Sequence, residues 1–188
     1  PAPPATASVV RILCGAAEPL TDSQGNAWAA DAWFEGGEPL HVDAPIAGAQ
    51  PAASDEALYQ HGRQGEDFSY SIPLEPGLYS LRLKLTEPVH DWSFQRPMNL
   101  SIGGRQVLQD FDVCQAARGP RRAYERVYRY LVPDAEGRLL LRFTAGHEPG
   151  QPLENALVQA IEVLPEDRST VRMDCGAEEP HVDWASQV

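Results

Sequence analysis

Positive charge is scarce in this 188-residue chain: 15 Lys and Arg stand against 27 Asp and Glu, a formal net charge of −12. A field of that sign repels phosphate backbones and anionic lipid, so nucleic acid and membrane surfaces are poor partners, whereas a neutral sugar meets no such penalty. The one basic cluster, Arg118, Arg121, Arg122, Arg126 and Arg129, reads as surface charge pairing. No run approaches 18 apolar residues, which excludes a membrane-spanning helix. The first eight residues, PAPPATAS, lack the charged and apolar regions of a signal peptide and read as a semi-rigid Pro/Ala linker at the front of a piece of a larger protein.

Cysteine is also rare. Three thiols, Cys14, Cys114 and Cys175, make no disulfide framework; they leave room for one bridge, but buried free thiols are expected. The five histidines never adopt metal-ligand spacing, so zinc has no support and no cofactor is implied. Asp110 and Asp112 alternate around Phe111, a weak pair for calcium. There is no Gly-x-Ser-x-Gly elbow and no phosphate loop. Glycosidase chemistry needs two carboxylates facing across a cleft; Glu87 with Glu154 is one of many pairs, and no spacing selects it. The chain reads as a non-enzyme.

What is present is turn-forming and strand-forming. With 17 Pro and 15 Gly, short strands and many turns are expected. In YSLRLKL (Tyr79 to Leu85), Leu81, Leu83 and Leu85 alternate with Ser80, Arg82 and Lys84. VVRIL, FSYSI, MNLSI, RVYRYLV, RLLLRF and ALVQAIEV add further strands. Gly103-Gly104 marks a tight hairpin, and 133–137 a turn. No window carries a 3.6-residue apolar stripe over three turns. The pattern predicts an all-β fold of two packed antiparallel sheets, a β-sandwich or jelly roll. Residues 35–57 and 144–155 read as long loops. Trp28 is expected in the core, with Asp22 and Gly25 in a turn. Asn99-Leu100-Ser101 satisfies the glycosylation pattern, but within a strand.

The chain also says one thing twice. VRILCGAAEPLTD (10–22) returns as VRMDCGAEEPHVD (171–183), with eight of thirteen positions identical. This predicts one complete unit over 9–164, a polar linker at 165–170, and the start of a second copy over 171–188.

The ordered set R-I-L-C-G, T-D-S-Q-G-N-A-W-A-A-D, W-F-E-G-G, L-Y-Q-H-G-R, F-S-Y-S-I-P, L-S-I-G-G-R-Q-V-L-Q-D-F-D-V and E-N-A-L-V-Q-A-I-E-V resembles the malectin family of carbohydrate-binding domains over 9 to about 164. The resemblance implies a jelly-roll β-sandwich whose loops at one end bind oligosaccharide through aromatics and an acid. It also implies a bacterial, secreted, periplasmic or cell-surface accessory module of a glycoside hydrolase such as a β-galactosidase-like enzyme. Carried over position by position, a family tyrosine falls on Gln64, an aromatic pair on Val89 and His90, and the acid on Glu154, followed by Asn155. Sugar rings lay C–H faces on aromatic rings while their hydroxyls take directed hydrogen bonds. Trp92 or Trp33, with Phe34, would then be the stacking platform. Tyr59 either lines the loop face or is buried with its hydroxyl bonded. Arg63 either donates to a sugar diol or pairs with a carboxylate. The expected partners are an oligosaccharide or polysaccharide and other domains of the same chain. The alternative is a structural spacer or protein-interaction sandwich that has lost sugar binding.

Overall fold

The structure is a computed structural model that describes residues 9–49, 53–147 and 154–166. Its elements in chain order are β1 (Val10–Leu13), β2 (Leu20–Thr21), β3 (Ala27–Trp28), β4 (Phe34–His41), α1 (Ala53–Gln60), β5 (His61–Pro73) and β6 (Tyr79–Leu85). They continue as β7 (Pro97–Ile102), β8 (Arg105–Asp112), α2 (Val113–Ala116), β9 (Tyr124–Leu131), β10 (Arg138–Ala145), β11 (Ala156–Val158) and β12 (Ala160–Pro165).

These strands make two antiparallel layers, as the alternation predicts. One has the order β1-β12-β6-β9. In the other, β5 carries β4 along one edge and β11 and β10 along the opposite edge, and β7 and β8 follow beyond β10. The period of two then sorts the side chains. Leu81, Leu83 and Leu85 of β6 face Phe68, Tyr70 and Ile72 of β5 and Leu141 and Phe143 of β10 across one buried core. Phe68 and Phe143 stack at 5.0 Å between ring centroids. Gly103 and Gly104 both take positive φ, as a two-residue hairpin requires.

The outer face of the four-stranded sheet is not bare. Leu13 and Ala160 point outward there, because Ile12 and Ile161 point in. They are covered by Trp28, Leu58 and Tyr59, which come from the β2–β3 hairpin and α1. Trp28 is thus core, as expected, and its Nε1 donates to Asp22. Asp22 also accepts from the backbone N–H groups of Gln24 and Asn26 and so closes the turn at Gly25. Burial opposes ionisation of Asp22, but these hydrogen bonds outweigh it and hold the carboxyl below its ordinary value.

Two readings need correction. Residues 35–57 are not one loop: they hold most of β4 and the first part of α1. β4 is an exposed edge strand, so neither of its faces carries an apolar alternation to read. Pro165 belongs to β12, and the Glu166 N–H donates to the Leu78 carbonyl, so the sheet runs past 164 into the expected linker. Asp112 caps α2 and also accepts from the Phe94 N–H, while Asp110 accepts from the His147 N–H, so both carboxylates serve the backbone rather than calcium. The leading linker, the remainder of 165–170 and the second copy at 171–188 lie outside the described residues.

Cys14 and Cys114 are free and buried as expected. Asn99 is committed within the sheet: its amide donates to the Ala145 carbonyl and its carbonyl oxygen accepts from the Asp110 N–H. The basic cluster is largely paired or stacked, with Arg121 on Asp91 at 2.6 Å and Arg126 over the Tyr128 ring.

Candidate functional site

Three of the predicted positions, far apart in the chain, meet at one end of the sandwich. Gln64 sits near the start of β5, Glu154 just before β11, and His90 on the loop that leaves β6. Their meeting point is an ion pair that sequence reasoning did not single out. Glu87 and Arg96 are both buried, with Arg96 Nε 2.9 Å from Glu87 Oε2 in a contact whose N–H is not aimed at the oxygen. Glu87 Oε1 accepts from the N–H groups of Val89 and His90, each at 2.9 Å. One Arg96 terminal nitrogen donates to Gln64 Oε1 at 3.2 Å and to the Asn155 carbonyl at 3.3 Å. The Gln64 amide donates onward to Glu38. His90 Nε2 is buried and 3.6 Å from Glu154 Oε2, too far for a hydrogen bond, so this ring nitrogen has no partner among the described residues. A buried polar atom without a partner is costly unless something else fills the place.

Beside this cluster the loop raises its largest side chain into solvent. Trp92 is 75% exposed, and Val89 and Phe94 flank it as an apolar rim. The loop beneath is held at four points. Trp92 N–H donates to the Gln95 side chain, Phe94 N–H to Asp112, and His90 N–H to Glu87, while Asp91 pairs with Arg121. A rigid loop that presents an indole beside hydrogen-bonding groups suits a ring with one apolar face and an edge of hydroxyls.

The other predicted residues lie elsewhere. Trp33 precedes β4 at the level of Tyr70 and Ser71, six residues up β5 from Gln64, about 20 Å at the usual strand rise. It is exposed, but it cannot share a platform with Trp92. Arg63 is only 5% exposed. Its Nε donates to Asp31 at 2.8 Å, one terminal nitrogen donates to the carbonyls of Gly36 and Gly37, and its guanidinium lies 3.4 Å from the Phe34 ring centroid. Of the two readings open for Arg63, carboxylate pairing is the one the geometry takes. Tyr59 is also 5% exposed, with its hydroxyl 3.4 Å from Glu125 on the outer face of the four-stranded sheet. Burial and the nearby Glu125 push its hydroxyl to higher pKa, so it stays protonated.

The comparisons with known proteins can be set against this geometry. The Malectin domain profile matches residues 8–139, about two thirds of the chain. The chain belongs to the malectin domain family. Malectin-A of Xenopus laevis is 38% identical over 71 residues, which is 37% of this chain and 25% of that protein. Malectin-B of the same frog is 37% identical over an equal stretch. The matched stretch is therefore a quarter of the length of these curated relatives. Among solved structures, the ANX1 ectodomain of Arabidopsis thaliana superposes with a TM-score of 0.72 at 16% identity, covering 86% of this chain and 50% of that one. A Bacteroides uniformis β-glucuronidase 2 superposes with a TM-score of 0.66 at 20% identity, covering 85% of this chain and 18% of the enzyme. At such identities the likeness is one of fold. The malectin domain is a carbohydrate-binding fold, and among the described residues no helix is long and apolar enough to cross a membrane.

Proposed function

We infer that this chain is a non-catalytic carbohydrate-binding module, which takes an oligosaccharide or polysaccharide on the end cluster and delivers it to, or holds it near, an attached glycoside hydrolase. The observation that carries this is the convergence of Gln64, His90 and Glu154 on the Glu87–Arg96 pair, beside the pinned and exposed Trp92. Trp92 supplies the stacking face. The half-exposed Glu154 carboxylate supplies an acceptor to hydroxyls, and the His90 ring, whose Nε2 is buried beside it, backs that carboxylate. Glu87 and Arg96 hold those groups in place rather than touch the sugar.

Glu87 is too committed to act as a catalytic acid, which supports a binding role without chemistry. A single shallow site of this kind binds weakly. Tethering it to a catalytic domain or to a second copy raises the effective concentration of the sugar without any new contact. Attachment to a hydrolase is supported by the occurrence of the same fold within a β-glucuronidase chain. A secreted, periplasmic or cell-surface location suits a polysaccharide partner and the ectodomain setting of the plant structure.

The test is a glycan array followed by calorimetry on wild type and Trp92→Ala. Losing a stacking indole worth roughly 1.4 kcal/mol or more weakens binding at least about tenfold. One feature favours the spacer reading: Gln64, Val89 and His90 stand where the family resemblance places aromatic rings. If no glycan binds wild type at millimolar concentration, the spacer reading replaces this one.

A further inference from the structure

The outer face of the four-stranded sheet carries a second feature that the end cluster does not use. Across its strands, charges alternate in register: Arg11 on β1 pairs with Glu162 on β12, Glu162 with Arg82 on β6, and Arg82 and Lys84 with Glu125 on β9. A ladder of this kind is ordinarily a solvated surface. Here part of it is not: Glu162 is 5% exposed and the Lys84 side chain 13%, while Arg82 and Glu125 stay 40% exposed. The covered part is sheltered because α1 and the β2–β3 hairpin rise over the face as walls. Ser23 beside that hairpin is bonded through its N–H and hydroxyl to Asp55 of α1, which locks the two walls together.

The result is a cavity of about 190 Å³ floored by Arg82, Lys84, Glu125 and Glu162 and walled by Asp22 and Asp55. At ~30 Å³ per water this is room for one small ring rather than a chain. Next to it along β6 lies a second, wider pocket of about 380 Å³ that shares Arg82 with the first and is lined further on by Val127, Tyr130, Leu164 and Pro165. From Lys84 to Ser80 the groove runs four residues of strand, about 13 Å.

Tyr130 is there because of a local irregularity. The pairing of β6 with β9 slips between Tyr79 and Leu81, which sets two β9 residues opposite Ser80. Tyr130 takes φ of 61° in that bulge, a conformation strained for a bulky side chain, and is 56% exposed. The fold tolerates a strained backbone that displays a phenol ring at the open end of the trough.

We propose that this groove is a second saccharide site, which takes the end unit of a neutral oligosaccharide in the smaller cavity and lays the following unit on Tyr130. Three features select that ligand. The smaller cavity exposes almost only polar atoms, which excludes an apolar guest. Four carboxylates face two cations there, and one of each is added in the trough, so the acid excess disfavours uronic acids and other anions. Paired carboxylates and guanidinium supply acceptors and donors side by side, the pattern that vicinal hydroxyls match. The site is separate from the end cluster and does not depend on it.

The test is amide-resolved NMR titration of the full 188-residue chain with cellotriose, maltotriose and mannotriose at millimolar concentration, with galacturonic acid as the anionic comparison. At least one trisaccharide should shift the amides of Arg82, Lys84, Glu125 and Val127. Tyr130→Ala and Glu125→Ala should each weaken that binding about tenfold or more, while Trp92→Ala leaves it within about twofold. Both substituted side chains are well exposed, and an otherwise unchanged amide spectrum shows that the variants are folded. The proposal is overturned if no trisaccharide shifts these amides, if Trp92→Ala abolishes their shifts, or if galacturonic acid binds as well as the neutral sugars. A trisaccharide that shifts only the 87–96 loop supports the end cluster and overturns the groove.

Discussion

Replacing Arg63 separates a framework role from a ligand role. Its Asp31 partner is buried, and that carboxylate also accepts from the Gly15 N–H at 2.6 Å and the Tyr70 hydroxyl at 2.9 Å. Arg63→Met keeps the length and apolar stem of the side chain but leaves the Asp31 charge without its counter-ion. Removing one member of a buried pair costs about 3–5 kcal/mol. The contact with Phe34 adds on the order of 0.5–1 kcal/mol, because that ring is partly exposed. The carbonyls of Gly36 and Gly37 add little, since β4 is an exposed edge and water replaces the lost donor. A total near 4 kcal/mol lowers Tm by on the order of 10 °C for a domain of this size. Arg63→Lys recovers only part of this, because an ammonium cannot serve Asp31 and two carbonyls in the same planar geometry. Adding Asp31→Asn to Arg63→Met removes the stranded charge and should recover about 1–3 kcal/mol by coupling. The assay is thermal and urea denaturation, with glycan binding measured well below the lowered Tm. A loss under about 1 kcal/mol would refute the reasoning, and so would a fully stable Arg63→Met protein that no longer binds glycan.

Other perturbations read other parts of the fold. Gly15 has φ of +71°, and a Cβ there would lie 1.9 Å from the Gly62 carbonyl oxygen, backbone against backbone. Gly15→Ala should therefore cost about 4 kcal/mol or more and abolish soluble expression at 37 °C; a variant with a Tm near wild type would contradict it. Asp22→Ala removes the acceptor for two backbone N–H groups and the Trp28 indole, and costs about 1–2 kcal/mol at pH 7. The folded-state pKa of Asp22 is depressed, so its ionised form stabilises above the unfolded value of about 3.9, and that contribution fades as pH falls through the lower folded value. The gap in urea midpoint between wild type and Asp22→Ala should be level from pH 7 to about 5 and narrow at lower pH; a gap that widens on acidification would be the wrong sign. Burial raises the pKa of both Cys14 and Cys114, so neither should react with a disulfide reagent at pH 8 until the protein unfolds. Rapid labelling at either, located by peptide mass, would argue against the packing described.

How far the sequence carries depends on whether a signal is local. β6 is legible residue by residue, because one face is core and the other is polar, and the alternation records that difference. β4 is not: it lies on an edge, bulges between Gly36 and Glu38, and has no buried residue to mark a face. α1 is eight residues long and begins amid Ala, Ser and Asp, too short for an apolar stripe. The site divides in the same way. Gln64, His90 and Glu154 are found by position in a family pattern, and Trp92 by being an unpatterned aromatic on a loop. Nothing in the sequence ties Glu87 to Arg96, because that pair forms only when the ends of the β6–β7 connection are brought together, and nothing ties Arg63 to Asp31, 32 residues apart, until distant segments are aligned. Trp33 misleads for a related reason: an exposed aromatic in sequence carries no information about which end of the sheet it occupies.

The repeated stretch shows what kind of information does survive in a short segment. Of the residues that recur between 10–22 and 171–183, Arg11 holds Glu162, Cys14 is sealed in the core, Gly15 lies against Gly62, and Asp22 closes the turn onto Trp28. Each is a framework role, and none belongs to the Gln64–His90–Glu154 cluster. A segment repeated for its ligand contacts would carry those contacts, so what recurs is a set of scaffold residues rather than a binding surface. The segments that make the end cluster are the β6–β7 connection, the residues just before β11 and the start of β5, none of them within the recurring stretch. They are free to vary in sequence because the motif that recurs serves the scaffold beneath them.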